Sequence, residues 1–183
     1  MNEIEYLTLT DLPQPIPFLL QNHKTPLILQ KHLLIVHSTA KILLQKLKKN
    51  WQTLIIDEEA ILFGAASHDI GKAIEVSELY ESGKKHEEVG YQLLVANEIS
   101  HGLARFARTH GNWQAESLEL EDLLVALADK IWKGKRVEKL EERVCRKLAA
   151  VIEVDYWTVF LQLDSILMEM TLVADDRLTW QES

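Results

Sequence analysis

The sequence has few cysteines, glycines and prolines, and each shortage excludes a class of protein. One cysteine among 183 residues, Cys145, cannot form an intramolecular disulfide, so a disulfide-stapled secreted scaffold is excluded. Seven glycines and four prolines are too few for a linker-rich or disordered chain. The N-terminus lacks the basic-then-apolar pattern of a secretory signal, and no apolar run approaches the roughly 20 residues that span a bilayer. We therefore expect a cytoplasmic protein with no membrane-embedded part.

Basic residues are also in short supply. The chain carries 20 Lys and Arg against 28 Asp and Glu, for a formal net charge of -8. A surface of that sign repels polyanions, so a nucleic-acid polymer is not an expected partner. The length and the 47% hydrophobic content fit one compact domain.

Apolar residues recur at steps of three and four along most of the chain, which is typical of amphipathic helices. No segment alternates polar and apolar residues for long enough to require a strand. The predicted fold is all-α, a single helical bundle with helices over residues 27–49, 57–71, 86–97, 99–109, 118–132, 137–153 and 155–173. We expect residues 1–26 to form an extended N-terminal arm, 27–136 a metal-binding core, and 137–183 C-terminal helices that pack on the same domain.

Two aspartates end strongly apolar runs. Asp69 closes the segment that begins at Ala60, and Asp129 closes the segment that begins at Leu123. A buried carboxylate costs several kcal/mol or more unless cations or donors compensate it. Lys72 and Lys130 are too near in sequence to be expected to face these aspartates. A metal ion would neutralise both.

Histidines share these apolar surroundings. His37 lies at helical spacing from Leu33 and Ala40, although a core histidine bonded to a backbone carbonyl is the plainer interpretation. Together with His68, Asp69 and Asp129 it forms a predicted ligand set for one or two ions of Mn, Fe, Co, Ni or Zn. Helices can bring scattered ligands together in the interior of a bundle.

Two further histidines lie at predicted helix ends. His86 and His110 are either ordinary exposed histidines or the ligands of a second metal that shares Asp69 as a bridge. His23, His32 and His101 are weaker candidates and are not included in the predicted site.

These elements occur in a recognisable order. His37 is followed by Ser67-His-Asp-Ile-Gly-Lys72, His86-Glu-Glu-Val-Gly90, Thr109-His-Gly111 and Leu127-Ala-Asp-Lys-Ile131. Over about residues 27–136 this order resembles the HD-domain superfamily of metal-dependent phosphohydrolases, in the version whose extra histidines hold a second metal. The layout is somewhat similar to HD-type hydrolases of symmetrical diadenosine tetraphosphate. It departs from them after Asp129, where Lys130 to Arg136 replaces an acidic, proline-containing turn.

The resemblance implies a mechanism and a substrate class. Metal-activated water would attack phosphorus, with Asp69 bridging the metals and Lys72 stabilising the charge that develops. Lys133 and Arg136, together with Lys135, would bind substrate at the cavity mouth or simply form a solvated basic patch. The expected substrate is a small phosphorylated metabolite, with nucleotides as the expected class.

Other interpretations stay open at this point. A catalytically silent metal or nucleotide sensor, an interaction module and a di-iron oxygenase are the alternatives to a hydrolase. Trp113 and Trp132 either stack on a base or belong to the core. The sequence leaves open whether the chain forms a homodimer.

Overall fold

The computed structural model describes residues 9–183, and within that range it contains helices and no strand. The predicted all-α class is confirmed. The helices are α1 Ile16–Asn22, α2 Leu27–Asn50, α3 Glu58–Ser67, α4 Lys85–Ala96, α5 His101–Ala104, α6 Phe106–Thr109, α7 Leu120–Ile131, α8 Glu138–Ile152, α9 Tyr156–Thr171 and α10 Ala174–Glu182. Two 3-10 turns, Ile70–Ala73 and Val76–Leu79, lie between α3 and α4.

Side-chain caps determine where several helices begin. The Asp57 carboxylate accepts a hydrogen bond of 2.9 Å from the Ala60 amide at the start of α3. At the start of α7, Glu119 and Asp122 form a reciprocal capping box. Such caps satisfy amide groups that have no partner inside the helix and are each worth about 1 kcal/mol. They also place the apolar runs that follow in a defined register.

Helix α7 is the centre of the bundle. Leu123 to Ala128 are all fully buried, because α2, α3 and α8 pack around this helix. The core continues through α8 and α9. On α8, which is otherwise highly charged, Leu140, Val144 and Leu148 form the buried stripe. Asp129 therefore follows directly on a fully buried apolar run.

The N-terminal segment differs from the extended arm that we predicted. Residues 1–8 lie outside the described part of the chain, but α1 begins at Ile16, and its residues Ile16, Leu19 and Leu20 are buried in a hydrophobic cluster that includes side chains of α2, α3 and α4. Proline is tolerated in the first turn of a helix, where an amide would lack a partner in any case, so Pro17 does not prevent α1.

At the other end of the chain, α10 was not predicted as a separate helix. It packs back on α2 and buries Arg177, which donates a hydrogen bond of 3.0 Å to the Met170 carbonyl.

One helix in residues 9–183, α2, is long and apolar enough by composition to cross a bilayer, and α9 with α10 meets the same measure when the two are taken as one bent segment. More than half of the relevant part of α2, 56%, is buried inside the bundle. A core helix meets this measure as readily as a membrane helix does, so the absence of a membrane-embedded part stays a prediction.

Candidate metal centre

Five segments of the chain bring ionisable side chains together at one site. Helix α2 contributes His32, the end of α3 and the turn after it contribute His68 and Asp69, and α4 contributes His86. His110 follows the end of α6, and Asp129 lies in the last turn of α7. In residues 9–183 these side chains form two groups whose potential ligand atoms lie within 4.8 Å of one another: His32, His68 and Asp129 in the first, and Asp69, His86 and His110 in the second.

Asp69 lies between the two groups. Its Oδ1 is 3.1 Å from Nε2 of His86 and 3.2 Å from Nε2 of His110. Its Oδ2 is 3.3 Å from Nε2 of His32 and 3.7 Å from Nε2 of His68. Each carboxylate oxygen therefore faces a different pair of imidazoles, which is the geometry of a bridging carboxylate.

Asp129 completes the first group. Its Oδ1 lies 3.6 Å from Nε2 of His32 and 3.5 Å from Nε2 of His68. The rings of His32 and His68 are themselves close, with Nε2 atoms 3.2 Å apart and centroids at 5.2 Å. Two imidazoles and two carboxylates thus surround one small volume.

Outward hydrogen bonds orient three of the histidine rings. Nδ1 of His68 is 3.0 Å from the Ala65 carbonyl oxygen, and Nδ1 of His110 is 3.1 Å from the Ala107 carbonyl oxygen. Nδ1 of His86 is 2.6 Å from a carboxylate oxygen of Glu78. A carbonyl or carboxylate oxygen only accepts, so each Nδ1 carries the proton and donates it. The neutral rings therefore present unprotonated Nε2 lone pairs to the cavity, as metal-ligating histidines do.

This arrangement leaves acceptor atoms facing acceptor atoms. In the described chain, the buried Asp69 Oδ1 and His86 Nε2 have no hydrogen-bond partner, although they lie close to each other. Protons on the Nε2 atoms would give these acceptors donors, but the rings would then be imidazolium ions that repel one another at these distances. Between Nε2 of His32 and Nε2 of His68 there is room for one proton at most. A divalent cation satisfies all of these lone pairs with neutral rings. The donor set of imidazole nitrogen and carboxylate oxygen fits the transition metals that we predicted.

The pKa values of the two aspartates fit a positively charged site. Burial by itself would raise the pKa of the Asp69 carboxyl, but positive charge on His68 and protons donated by the other histidine rings would hold that pKa well below its usual range, and a metal cation in place of those protons acts in the same direction. At Asp129, burial is likewise outweighed by His68 and Lys130, and the pKa is lowered. Both carboxylates are therefore ionised at neutral pH and available as ligands.

The structure brings together five of the six predicted ligand residues and excludes His37. The His37 ring is turned towards α3, where Nδ1 is 3.0 Å from the Leu62 carbonyl oxygen, and burial lowers the pKa of this imidazole. This is the core histidine that we considered as the alternative. His32, which we had set aside, occupies the place that we assigned to His37.

The sequence carried the same spacing signal for His32 as for His37. It lies three residues after Leu29 and four before Val36, so it shares the helix face of two buried residues. His37 is five residues further on, about 140° around the helix, and therefore points to another part of the core.

The lysines near the aspartates also differ from the prediction. Lys72 donates a hydrogen bond of 2.7 Å to Asp69 Oδ2, and Lys130 donates one to Asp129 Oδ2. Lys72 reaches back because Asp69 and Lys72 enclose a single 3-10 turn, which brings residues three apart onto one side. Both lysines therefore contact the carboxylates, which we had not expected.

The two other predicted substrate-binding residues lie in different places. Lys133 lines the cavity, where burial lowers the pKa of its ammonium group. Arg136 lies away from the cavity and binds Glu141 at 2.7 Å and Asp164 at 2.6 Å. The interpretation of Arg136 as a substrate contact is thus corrected, because both of its anionic partners belong to the C-terminal helices.

The cavity above the histidines has a volume of about 520 Å³. Among the described residues, its lining contains lysines from three segments: Lys72, Lys84, Lys130 and Lys133. Trp132 also lines it but is only 3% exposed and packs edge-on against His32, while Trp113 packs on the core. Trp132 therefore belongs to the packed interior, and Trp113 is half-buried against the core and does not line the cavity.

Among known proteins, the chain matches one family profile and no individual protein. No characterised protein and no solved structure matches the chain significantly. The sequence profile of the HD domain matches residues 29–132, more than half of the chain, and this range contains all six side chains of the two groups. The match agrees with the all-α fold and with the histidine and aspartate clusters, and the chain therefore belongs to the HD domain family, in general a family of metal-dependent phosphohydrolases.

Proposed function

We propose that the protein is a metal-dependent phosphohydrolase that cleaves a phosphoester or phosphoanhydride of a small phosphorylated metabolite, with nucleotides as the substrate class. The observation that carries this proposal is the position of Asp69, which directs one oxygen to each of two imidazole pairs at the floor of a lysine-lined cavity. Paired metal sites bridged by a carboxylate are suited to in-line displacement at phosphorus.

Each group at the site has a definite role in this proposal. Divalent ions, when bound, lower the pKa of water enough to supply hydroxide near neutral pH. His32, His68 and Asp129 would hold one ion, His86 and His110 the other, and Asp69 both. Glu78 fixes the His86 ring through its Nδ1 proton, so Nε2 keeps its lone pair for the metal.

Lys72 and Lys130 would be able to change partners if metal were bound. In the structure their ammonium groups neutralise Asp69 and Asp129. With the carboxylates engaged as metal ligands, both ammonium groups would be free to bind phosphoryl oxygens and to stabilise the charge that grows on them in the transition state.

The substrate class is inferred from size and charge. A cavity of about 520 Å³ lies within the range that binds small molecules. Four lysines on an otherwise acidic chain attract small anions locally while the net charge of -8 repels long polyanions. Ile28, Leu29 and Leu79 supply an apolar wall beside the lysines, as a nucleoside next to its phosphates requires.

The experiment is a phosphate-release screen with purified protein loaded with Mn, Fe, Co or Ni. Asp69→Asn keeps the shape of the side chain but removes the bridging charge, and we expect it to reduce turnover at least about 100-fold with an unchanged helical circular dichroism spectrum. The matched control is Asp176→Asn, which removes an exposed aspartate on α10 and should retain full activity. Turnover that survives Asp69→Asn, or a metal-loaded protein that hydrolyses nothing in the screen, would contradict the proposal.

A further inference from the structure

Helix α9 and the residue at its C-terminal cap, Leu172, present an exposed apolar stripe to solvent. Trp157 is 68% exposed, Leu161 67%, Met168 58% and Leu172 81%. At 3.6 residues per turn these four positions lie within about 60° of one another around the helix axis. The buried face of α9, with Val159, Leu163 and Leu167, packs on the core, so the stripe is a second apolar face on the same helix.

The stripe is symmetric about its own centre. The outer two residues of the stripe are Trp157 and Leu172, and the inner two are Leu161 and Met168. Both pairs have the same midpoint, between Asp164 and Ser165. An antiparallel copy of α9 related by a two-fold axis at this midpoint therefore brings Trp157 opposite Leu172 of the second copy. In the same arrangement Leu161 lies opposite Met168 of the second copy. Each large side chain thus meets another, which a self-complementary two-fold interface requires.

The charges beside the stripe permit this contact. Asp164 is bound by Arg136 at 2.6 Å, and Glu169 is bound by Lys46 at 2.7 Å. Each acid is neutralised within its own chain, so two copies of the stripe do not repel each other. Helix α9 contains no lysine or arginine, which disfavours an anionic lipid surface as the occupant.

The size of the stripe also fits a second copy. From their exposed fractions, the four side chains present roughly 600 Å² of surface, at the upper limit of the largest apolar patches on monomeric proteins. A standard interface buries about 800 Å² per partner, and the small polar side chains that border the stripe can supply the rest. Ser165 near the axis allows two helices to approach closely.

From these four observations we propose that the protein is a homodimer in which α9 packs antiparallel on α9 of the second copy. The stripe lies on the C-terminal helices and shares no residue with the lining of the metal cavity. Dimerisation and phosphohydrolase activity are therefore tested independently.

The first test compares two variants of the full chain by sedimentation over a concentration series. Wild-type protein should sediment at twice the chain mass of 21.1 kDa. Leu161→Glu places an unpaired charge at the centre of the interface and should weaken dimerisation at least about 100-fold. Ile55→Glu makes the same chemical change at a residue 87% exposed outside the stripe and should leave the dimer intact.

The second test determines orientation and does not depend on how Leu161→Glu folds. A mixture of Leu161→Cys and Met168→Cys proteins should form an intermolecular disulfide between the two variants on mild oxidation. Leu161→Cys alone should not, because two copies of residue 161 are offset by about 10 Å along antiparallel helices, beyond the roughly 7 Å that a disulfide spans between Cα atoms. Cys145 is buried and contributes little background.

Three results would overturn the proposal. The first is wild-type protein that sediments as a monomer throughout the series. The second is a Leu161→Glu variant that dimerises as well as Ile55→Glu does. The third is a Leu161→Cys variant that crosslinks to itself as readily as to Met168→Cys. If monomeric wild-type protein instead binds zwitterionic vesicles and Leu161→Glu does not, the stripe is a lipid-binding surface.

Discussion

A substitution at Gly71 tests whether the packing of α4 holds His86 at the metal centre. The turn that carries Gly71 lies directly against α4, and its backbone touches the backbone of that helix. A Cβ atom added at Gly71 would lie 2.0 Å from the His86 carbonyl oxygen and 2.6 Å from the Gly90 amide nitrogen. Both obstacles are backbone atoms, which cannot rotate out of the way.

The size of the effect follows from these distances. Ordinary contacts of a Cβ begin near 3.4 Å, so α4 must move by more than 1 Å at His86 to admit the methyl group of Gly71→Ala. Such overpacking costs typically 1–3 kcal/mol, which corresponds to a decrease in melting temperature of roughly 2–12 °C for a chain of this length. The same movement separates His86 Nε2 from Asp69 Oδ1, now 3.1 Å apart. We therefore expect binding of the second metal ion to weaken at least about 10-fold.

The assay measures the melting temperature of the metal-free protein and the metal content after dialysis against a fixed free-metal concentration. Gly102→Ala is the matched control, because a Cβ there meets only Ser100 Oγ at 3.8 Å, within a helix where alanine is favoured over glycine by up to about 1 kcal/mol. It should retain both ions and the melting temperature. If Gly71→Ala binds two ions as tightly as wild type and melts at the same temperature, the contact between the turn and α4 does not position His86.

Substitutions at three other residues, and the reactivity of Cys145, give further predictions. Elemental analysis of His32→Ala should show the loss of one of two bound ions. His37→Ala should keep both ions and lose only about 1–3 kcal/mol of its free energy of unfolding, because His37 is a core residue bonded to the Leu62 carbonyl. Equal metal loss in both variants would refute the assignment. Arg136→Gln should leave KM for substrate unchanged and lower the melting temperature, since its partner Glu141 is buried and loses its cation; a raised KM at unchanged stability would contradict this. Burial raises the pKa of the Cys145 thiol to about 11, so at pH 8 about one molecule in a thousand carries the reactive thiolate. Native protein should therefore react slowly with a thiol reagent, faster as the pH rises towards 11, and rapidly once unfolded; fast modification of the folded protein at pH 8 would be the contrary result.

Much of the fold could be predicted because its signals are local. The start of α3 follows from Asp57 as a cap and from the acidic residues after it, and the apolar run of α7 identifies the centre of the bundle. The helix α1 was missed because Pro15 and Pro17 suggest an irregular chain. What stabilises α1 is the burial of Ile16 and Leu19 in a cluster shared with several other helices, a tertiary effect that no local pattern reveals.

The candidate site shows where a local argument reaches its limit. Asp69 and Asp129 could be found because a charged residue at the end of an apolar run is costly without compensation. The choice between His32 and His37 could not be made in the same way, since both lie at helical spacing from buried residues of α2. Which face of α2 meets α3 and which meets the cavity is decided by packing, and that packing turns His37 towards Leu62.

Anomalous scattering from a crystal of the manganese- or iron-loaded protein tests the central claim most directly. The account predicts two peaks, one between His32, His68 and Asp129 and the other beside His86 and His110, with Asp69 touching both. A cavity that takes up no ion under these conditions, with the imidazoles in their present orientation, would contradict it.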